Sequence, residues 1–172
     1  MPVIPQIIGL AAVVTFLLSY QQKKRQNIIL LNVISRCLYI LQYLLLGAFS
    51  GAILDILGAG SSLVAGKKQH RFIQKHQTVI IITITVSMVA VGSTIAVING
   101  NILDLFSLTG VLLQTGAFWL NSEKTIRRIS LAGSPFWFVY NFCSRAYGSA
   151  IGDILTICSI VIAMIRHRKQ QE

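Results

Sequence analysis

"GAFSGAILDIL" (Gly47–Leu57) and "RAYGSAIGDIL" (Arg145–Leu155) each set one aspartate inside an apolar run. The second follows the first by 98 residues. A carboxylate among apolar side chains is costly unless something answers its charge. Two of them in register point to an internal repeat. Shifting the sequence by that spacing lays Ala48 on Ala146, Ala52 on Ala150 and Asp55-Ile56-Leu57 on Asp153-Ile154-Leu155. Further out, Ile28 falls on Ile126, Tyr39 on Trp137 and Lys68 on Arg166. Matching isoleucines and leucines carry little weight in so apolar a chain. The aspartates carry more, because the sequence holds five acidic residues and only these two lie deep in apolar segments.

The 172 residues are 54% hydrophobic and 12% charged, with a mean hydropathy of +0.70. A soluble domain has about 25% charged residues. About half that share cannot cover so much apolar side chain against water, and lipid is the better solvent. The net charge of +10 is gathered in short clusters between long apolar runs. Such clusters set topology and meet anionic lipid head groups, and they do not read as a nucleic-acid surface. Cys37, Cys143 and Cys158 fall within apolar segments with no close spacing. The basic stretch "HRFIQKH" (His70–His76) has no acidic or thiol neighbour. Neither a disulfide framework, a metal site nor a cofactor is expected. With no nucleophile–base pair and no phosphate loop, enzymatic activity is not expected either.

Apolar segments of roughly 17–25 residues cross a bilayer as helices. Seven are predicted, at 3–20, 28–46, 48–65, 78–99, 102–120, 129–144 and 146–165. The basic residues test that number. Lys23, Lys24 and Arg25 follow the first segment; Lys67, Lys68, Arg71 and Lys75 follow the third. Lys124, Arg127 and Arg128 follow the fifth, and Arg166, Arg168 and Lys169 the seventh. Seven crossings put all of these on one side, with Arg145 opposite and Arg36 inside a helix. The orientation is therefore N-terminus out, C-terminus in. No positive charge precedes the first segment, so it reads as a retained helix and not a cleavable signal. The expected fold is all-α: two parallel triple-helix bundles, 1–70 and 101–172, joined by a linker helix within 71–100. Solute sites in such repeat plans lie between the halves near the bilayer midplane.

The stretch "GLAAVVTFLLSYQQKKRQNIILLNVISRCLYILQYLLLGAFSGAILDILG" (Gly9–Gly58) carries a family resemblance. With the 3+1+3 layout, it resembles the SWEET, SemiSWEET and PQ-loop superfamily, and within it the YgjV-like bacterial inner-membrane proteins. The resemblance implies a multi-pass inner-membrane transporter of a small polar solute working by alternating access. In sugar-carrying members each half gives a pocket asparagine on its third helix and an aromatic or small residue on its second. Asp55 and Asp153 stand at similar positions, behind Tyr39 and Trp137 respectively. Aspartate departs from the sugar pattern. The hinge proline of the first helix is also missing, Ser19-Tyr20-Gln21 and Phe118-Trp119-Leu120 standing in its place.

Asp55 lies roughly 10 Å below the outer end of its segment at 1.5 Å per residue. Its side chain is too short to reach water from there. Both aspartates are expected to face a shared pocket, holding solute hydroxyls or an amine, or taking up protons that drive transport. Tyr39, Trp137 and Asn141 are expected to line that pocket. A structural role competes: Arg36 in the second helix can neutralise Asp55. The repeat places Ser134 opposite Arg36, so Asp153 needs another partner. Asn32, Gln42 and Gln114 either line the site or bond neighbouring helices. The GxxxG pairs Gly47/Gly51 and Gly148/Gly152 are expected to pack helices within each bundle, and Pro135 to act as a hinge. The alternative to a transporter is a membrane scaffold or regulator on the same fold. One chain suffices for one site, and a homo-oligomer stays open.

Overall fold

A computed structural model describes residues 3–22 and 25–168. Eight helices and no strand occur among them. They are α1 (Val3–Gln21), α2 (Arg25–Leu46), α3 (Phe49–Gly66), α4 (Arg71–Lys75), α5 (Gln77–Asn99), α6 (Leu103–Phe118), α7 (Glu123–Cys143) and α8 (Tyr147–Arg168). Each of the seven predicted segments is one long helix; α4 is an addition, one short turn in the basic loop. Three stretches are long and apolar enough to cross a membrane: Gln26–Leu46, Phe49–Gly66 and Gln77–Asn99. Val3–Ser19, Leu103–Phe118 and Tyr147–Cys158 are shorter apolar stretches among the residues whose side chains are described. Of the basic residues that orient the chain, Lys23, Lys24 and Lys169 lie outside the described residues, as do the side chains of Arg25, Lys124, Arg166 and Arg168.

The repeat extends to the backbone. α2 ends where Ala48 donates to the Tyr43 carbonyl (2.9 Å) and Gly47 to Leu44 (3.3 Å). α7 ends where Ala146 donates to Asn141 (2.8 Å) and Arg145 to Phe142 (3.2 Å). Both are Schellman closures, in which a left-handed residue turns the chain back on the last helical carbonyls. That residue is Gly47 at φ +72° in the first half and Arg145 at φ +60° in the second. Arginine bears a Cβ that the left-handed region disfavours. Its carbonyl is tied down by Gln6 Nε2 at 3.1 Å.

Helix packing repeats as well. α2 packs on α1 and α3, and α7 packs on α6 and α8. The halves meet through α1 against α8 and through α3 against α6, two contacts that exchange under the repeat. α5 lies against α6 and α3 and has no counterpart. Its buried residues are Met88 and Gly92. Leu108 packs onto Gly92, where an added Cβ would lie 2.7 Å from Leu108 Cδ1.

Polarity is distributed as lipid demands. Val3, Ile4, Val79, Val97 and Ile98 are exposed, while Asn32, Arg36, Gln42, Asp55, Asp104 and Asn141 are buried. Lipid removes the hydrophobic drive between helices, leaving close packing and interhelical hydrogen bonds. The glycines serve that packing, but between the halves and not within each bundle as expected. A Cβ on Gly51 of α3 would lie 2.8 Å from the Tyr140 ring of α7. One on Gly148 of α8 would lie 2.7 Å from the Gln6 carbonyl of α1, and one on Gly152 would strike Val13 of α1. Gly47 meets nothing and is kept for its φ. α7 runs through Pro135 as continuous helix.

Candidate functional site

A cavity lies where the halves meet, lined by Phe16, Arg36, Tyr39, Tyr43, Asp55, Gln114, Trp137, Asn141 and Asp153. Eight of the nine are four repeat pairs: Phe16 with Gln114, Tyr39 with Trp137, Tyr43 with Asn141, Asp55 with Asp153. Arg36 is the exception. The cavity therefore sits on the axis relating the halves. It encloses about 20 Å³, room for about one water molecule.

All six site residues expected from the sequence, Arg36, Tyr39, Asp55, Trp137, Asn141 and Asp153, line this cavity, and so does Gln114. Asn32 and Gln42 do not. Asn32 Oδ1 accepts from Arg36 Nε at 3.1 Å, and Gln42 Oε1 accepts from the Ser149 hydroxyl. Phe16 and Tyr43 were not anticipated, although the spacing from Gln114 and Asn141 marks both. Asp104, in the first turn of α6, is a third buried carboxylate; it accepts from Asn99 Nδ2 at 2.8 Å, away from the cavity. A carboxylate there also meets the positive end of the helix dipole.

The two aspartates are held differently. Asp55 Oδ1 is ion-paired and hydrogen-bonded to Arg36 Nη1, both side chains almost fully buried. Arg36 fits because Gly58 leaves space; a Cβ there would lie 2.5 Å from Nη1. Asp153 Oδ2 accepts from Asn141 Nδ2 at 2.8 Å. Asn141 Oδ1 in turn accepts from the Tyr43 hydroxyl at 2.6 Å. That contact joins repeat partners across the axis and fixes which way the amide faces. Asp153 has no basic partner among the described residues.

In the same lining an aromatic row crosses between the halves. Tyr39 stacks on Tyr43 (centroids 6.4 Å) and Tyr43 on Trp137 (6.2 Å), with Phe16 edge-on to Tyr39 (6.5 Å). Of the lining residues described, Arg36 Nη2 and Trp137 Nε1 are buried donors without a partner. Both are shut in by packing, so a solute reaches them only when side chains move.

α3 is clamped on either side of Asp55. At its start Tyr140 Oη bonds the Gly51 N–H and the Ser50 hydroxyl, each at 2.8 Å. The repeat partner of Tyr140 is Gln42, and that of Gly51 is Ser149, so the Gln42–Ser149 bond is the same brace in the other half. Beyond its end Lys68 Nζ donates to the Trp119 (3.2 Å) and Leu120 (2.9 Å) carbonyls and to Asn121. Trp119 Nε1 donates to Ser61 Oγ at 3.3 Å.

An all-helical chain with an apolar exterior and charged groups buried between its helices is built for a lipid solvent. The class is a helical membrane protein. The chain belongs to the bacterial inner membrane protein family Imp-YgjV, whose family model matches residues 3–171. No curated protein and no solved structure matches it.

Proposed function

We propose that this protein carries a small polar solute across the bacterial inner membrane by alternating access of two parallel triple-helix bundles. In this reading the seven long helices all cross the membrane, N-terminus out and C-terminus in, on the SWEET and PQ-loop plan. α5 is the linker that lets two odd-numbered bundles run parallel. The observation that supports it is the axial cavity walled by four repeat pairs, since a site shared equally by two halves can open to either side as they rock.

The bonding pattern divides the labour. Asp55 is answered by Arg36 and holds the first half together. Asp153, met only by neutral donors, is the group through which protons couple to transport. The Tyr140–Gly51 and Gln42–Ser149 braces close one mouth, and the Lys68 and Trp119 contacts close the other; alternating access releases them in turn. The basic loops, with Phe72 exposed beside Arg71, rest on anionic lipid.

Purified protein in liposomes, tested with labelled sugars, amino acids and amines under an imposed pH gradient, decides the matter. Flux driven by the gradient in wild type and lost or uncoupled in Asp153→Asn is expected. A well-folded wild type that moves no solute in either direction overturns the reading. It would leave a non-transporting scaffold or regulator, which the small cavity favours.

A further inference from the structure

The repeat supplies an internal comparison for the cavity. In the first half three positions work together: Asp55, Arg36 and Gly58, with the guanidinium on the carboxylate and the glycine giving it room. In the second half the same positions read Asp153, Ser134 and Thr156. Neither Ser134 nor Thr156 carries charge, and Ser134 Oγ is turned to the Ser130 carbonyl at 3.1 Å. The first half brings its own cation to its aspartate; the second does not. The lining residues thus hold one basic and two acidic side chains. A carboxylate left alone at this depth is costly.

We infer that the cavity is a binding site for one compact monovalent cation, held by Asp153 as Arg36 holds Asp55. The size follows from the volume of about 20 Å³, which admits a single non-hydrogen centre. The surroundings suit a cation: Trp137 and the stacked Tyr43 offer aromatic rings beside the carboxylate. The Tyr43–Asn141 bond turns the amide oxygen toward the tyrosine, so the amide nitrogen braces Asp153 from one side. Ammonium and the alkali ions share this chemistry, as does the ammonium head of a larger amine whose tail requires the cavity to open. The inference rests on the transport reading for its purpose, since a bound cation is then the cargo, exchanged for the proton at Asp153. Binding itself is measured without flux, so the two fail separately.

The test is thermal unfolding of the full chain in detergent with ammonium, methylammonium, sodium or potassium chloride. N-methylglucamine chloride at equal ionic strength is the control. At least one compact cation is expected to raise Tm saturably over the control. Asp153→Asn is expected to weaken that response at least tenfold. Asp104→Asn, which neutralises the buried carboxylate that lies away from the cavity, is expected to keep it within about threefold. The ion series on the unmodified protein decides even where a variant fails to fold. Equal Tm in every salt leaves only the proton for Asp153 and overturns the proposal. Retention of the response in Asp153→Asn, or its equal loss in Asp104→Asn, overturns the assignment to Asp153. Stabilisation by N-methylglucamine acetate or phosphate, with none by the compact cations, overturns the charge.

Discussion

Replacing Arg36 by methionine keeps an unbranched stem over Gly58 and removes every donor. Asp55 then loses its ion-pair partner, and Asn32 Oδ1 loses the bond it accepts from Nε. Breaking a buried pair by removing one member costs ~3–5 kcal/mol, most of it the penalty of the charge left behind. Asp55→Asn strands the guanidinium instead and belongs in the same range. Removing both together strands no charge, and such replacements are often near neutral. The cycle therefore predicts two costly single variants and a double variant cheaper than either. Its coupling energy should exceed ~2 kcal/mol. Membrane hydrogen bonds average only ~0.6 kcal/mol in comparable cycles, so a value of that size would mean an ordinary polar contact. The assay is reversible unfolding in mixed micelles, followed by circular dichroism or tryptophan fluorescence. Additivity within ~0.5 kcal/mol is the signature of independent sites. That result would refute the view that Arg36 is a structural counter-charge.

Gly152→Ala drives a methyl into Val13 and is expected to cost ~1–3 kcal/mol by overpacking. Gly116→Ala, with nothing within 4 Å of its added carbon, is expected to gain ~0.5–1 kcal/mol as a helical alanine. The same micelle titration reads both, and equal effects would count against the close approach of α8 to α1. Arg145→Gly relieves a left-handed arginine and keeps the carbonyl that Gln6 binds, so a gain of ~0.5 kcal/mol is expected, against a loss for Gly47→Ala. Lys68→Met removes the bonds to the Trp119 and Leu120 carbonyls and is expected to cost ~1.5–3 kcal/mol. Faster hydrogen exchange should be confined to the end of α6 and the following turn, and an unchanged exchange rate there would exclude the clamp.

Periodicity and spacing alone located the seven long helices, because runs of that length and polarity have one good solvent and one good backbone conformation. The constant spacing also paired Asp55 with Asp153 and Tyr39 with Trp137, since a duplicated fold keeps its register. What the sequence leaves ambiguous is facing. In a lipid-solvated chain the outer and inner surfaces of a helix are both apolar, so Phe16 and Tyr43 look no different from the exposed Phe49. The glycine pairs have the right spacing for close packing, yet nothing in that spacing says which helix approaches; the tertiary structure brings α1 and α7 to them. Arg36 is the sharpest case. Its side chain is long enough to reach lipid head groups, a neighbouring helix or either aspartate, and the one-dimensional pattern cannot choose. The empty side-chain position at Gly58 chooses, drawing the guanidinium onto Asp55. Two acids that are equal in the sequence thereby become unequal in the fold: one neutralised from within, the other held by an amide on the axis between the halves.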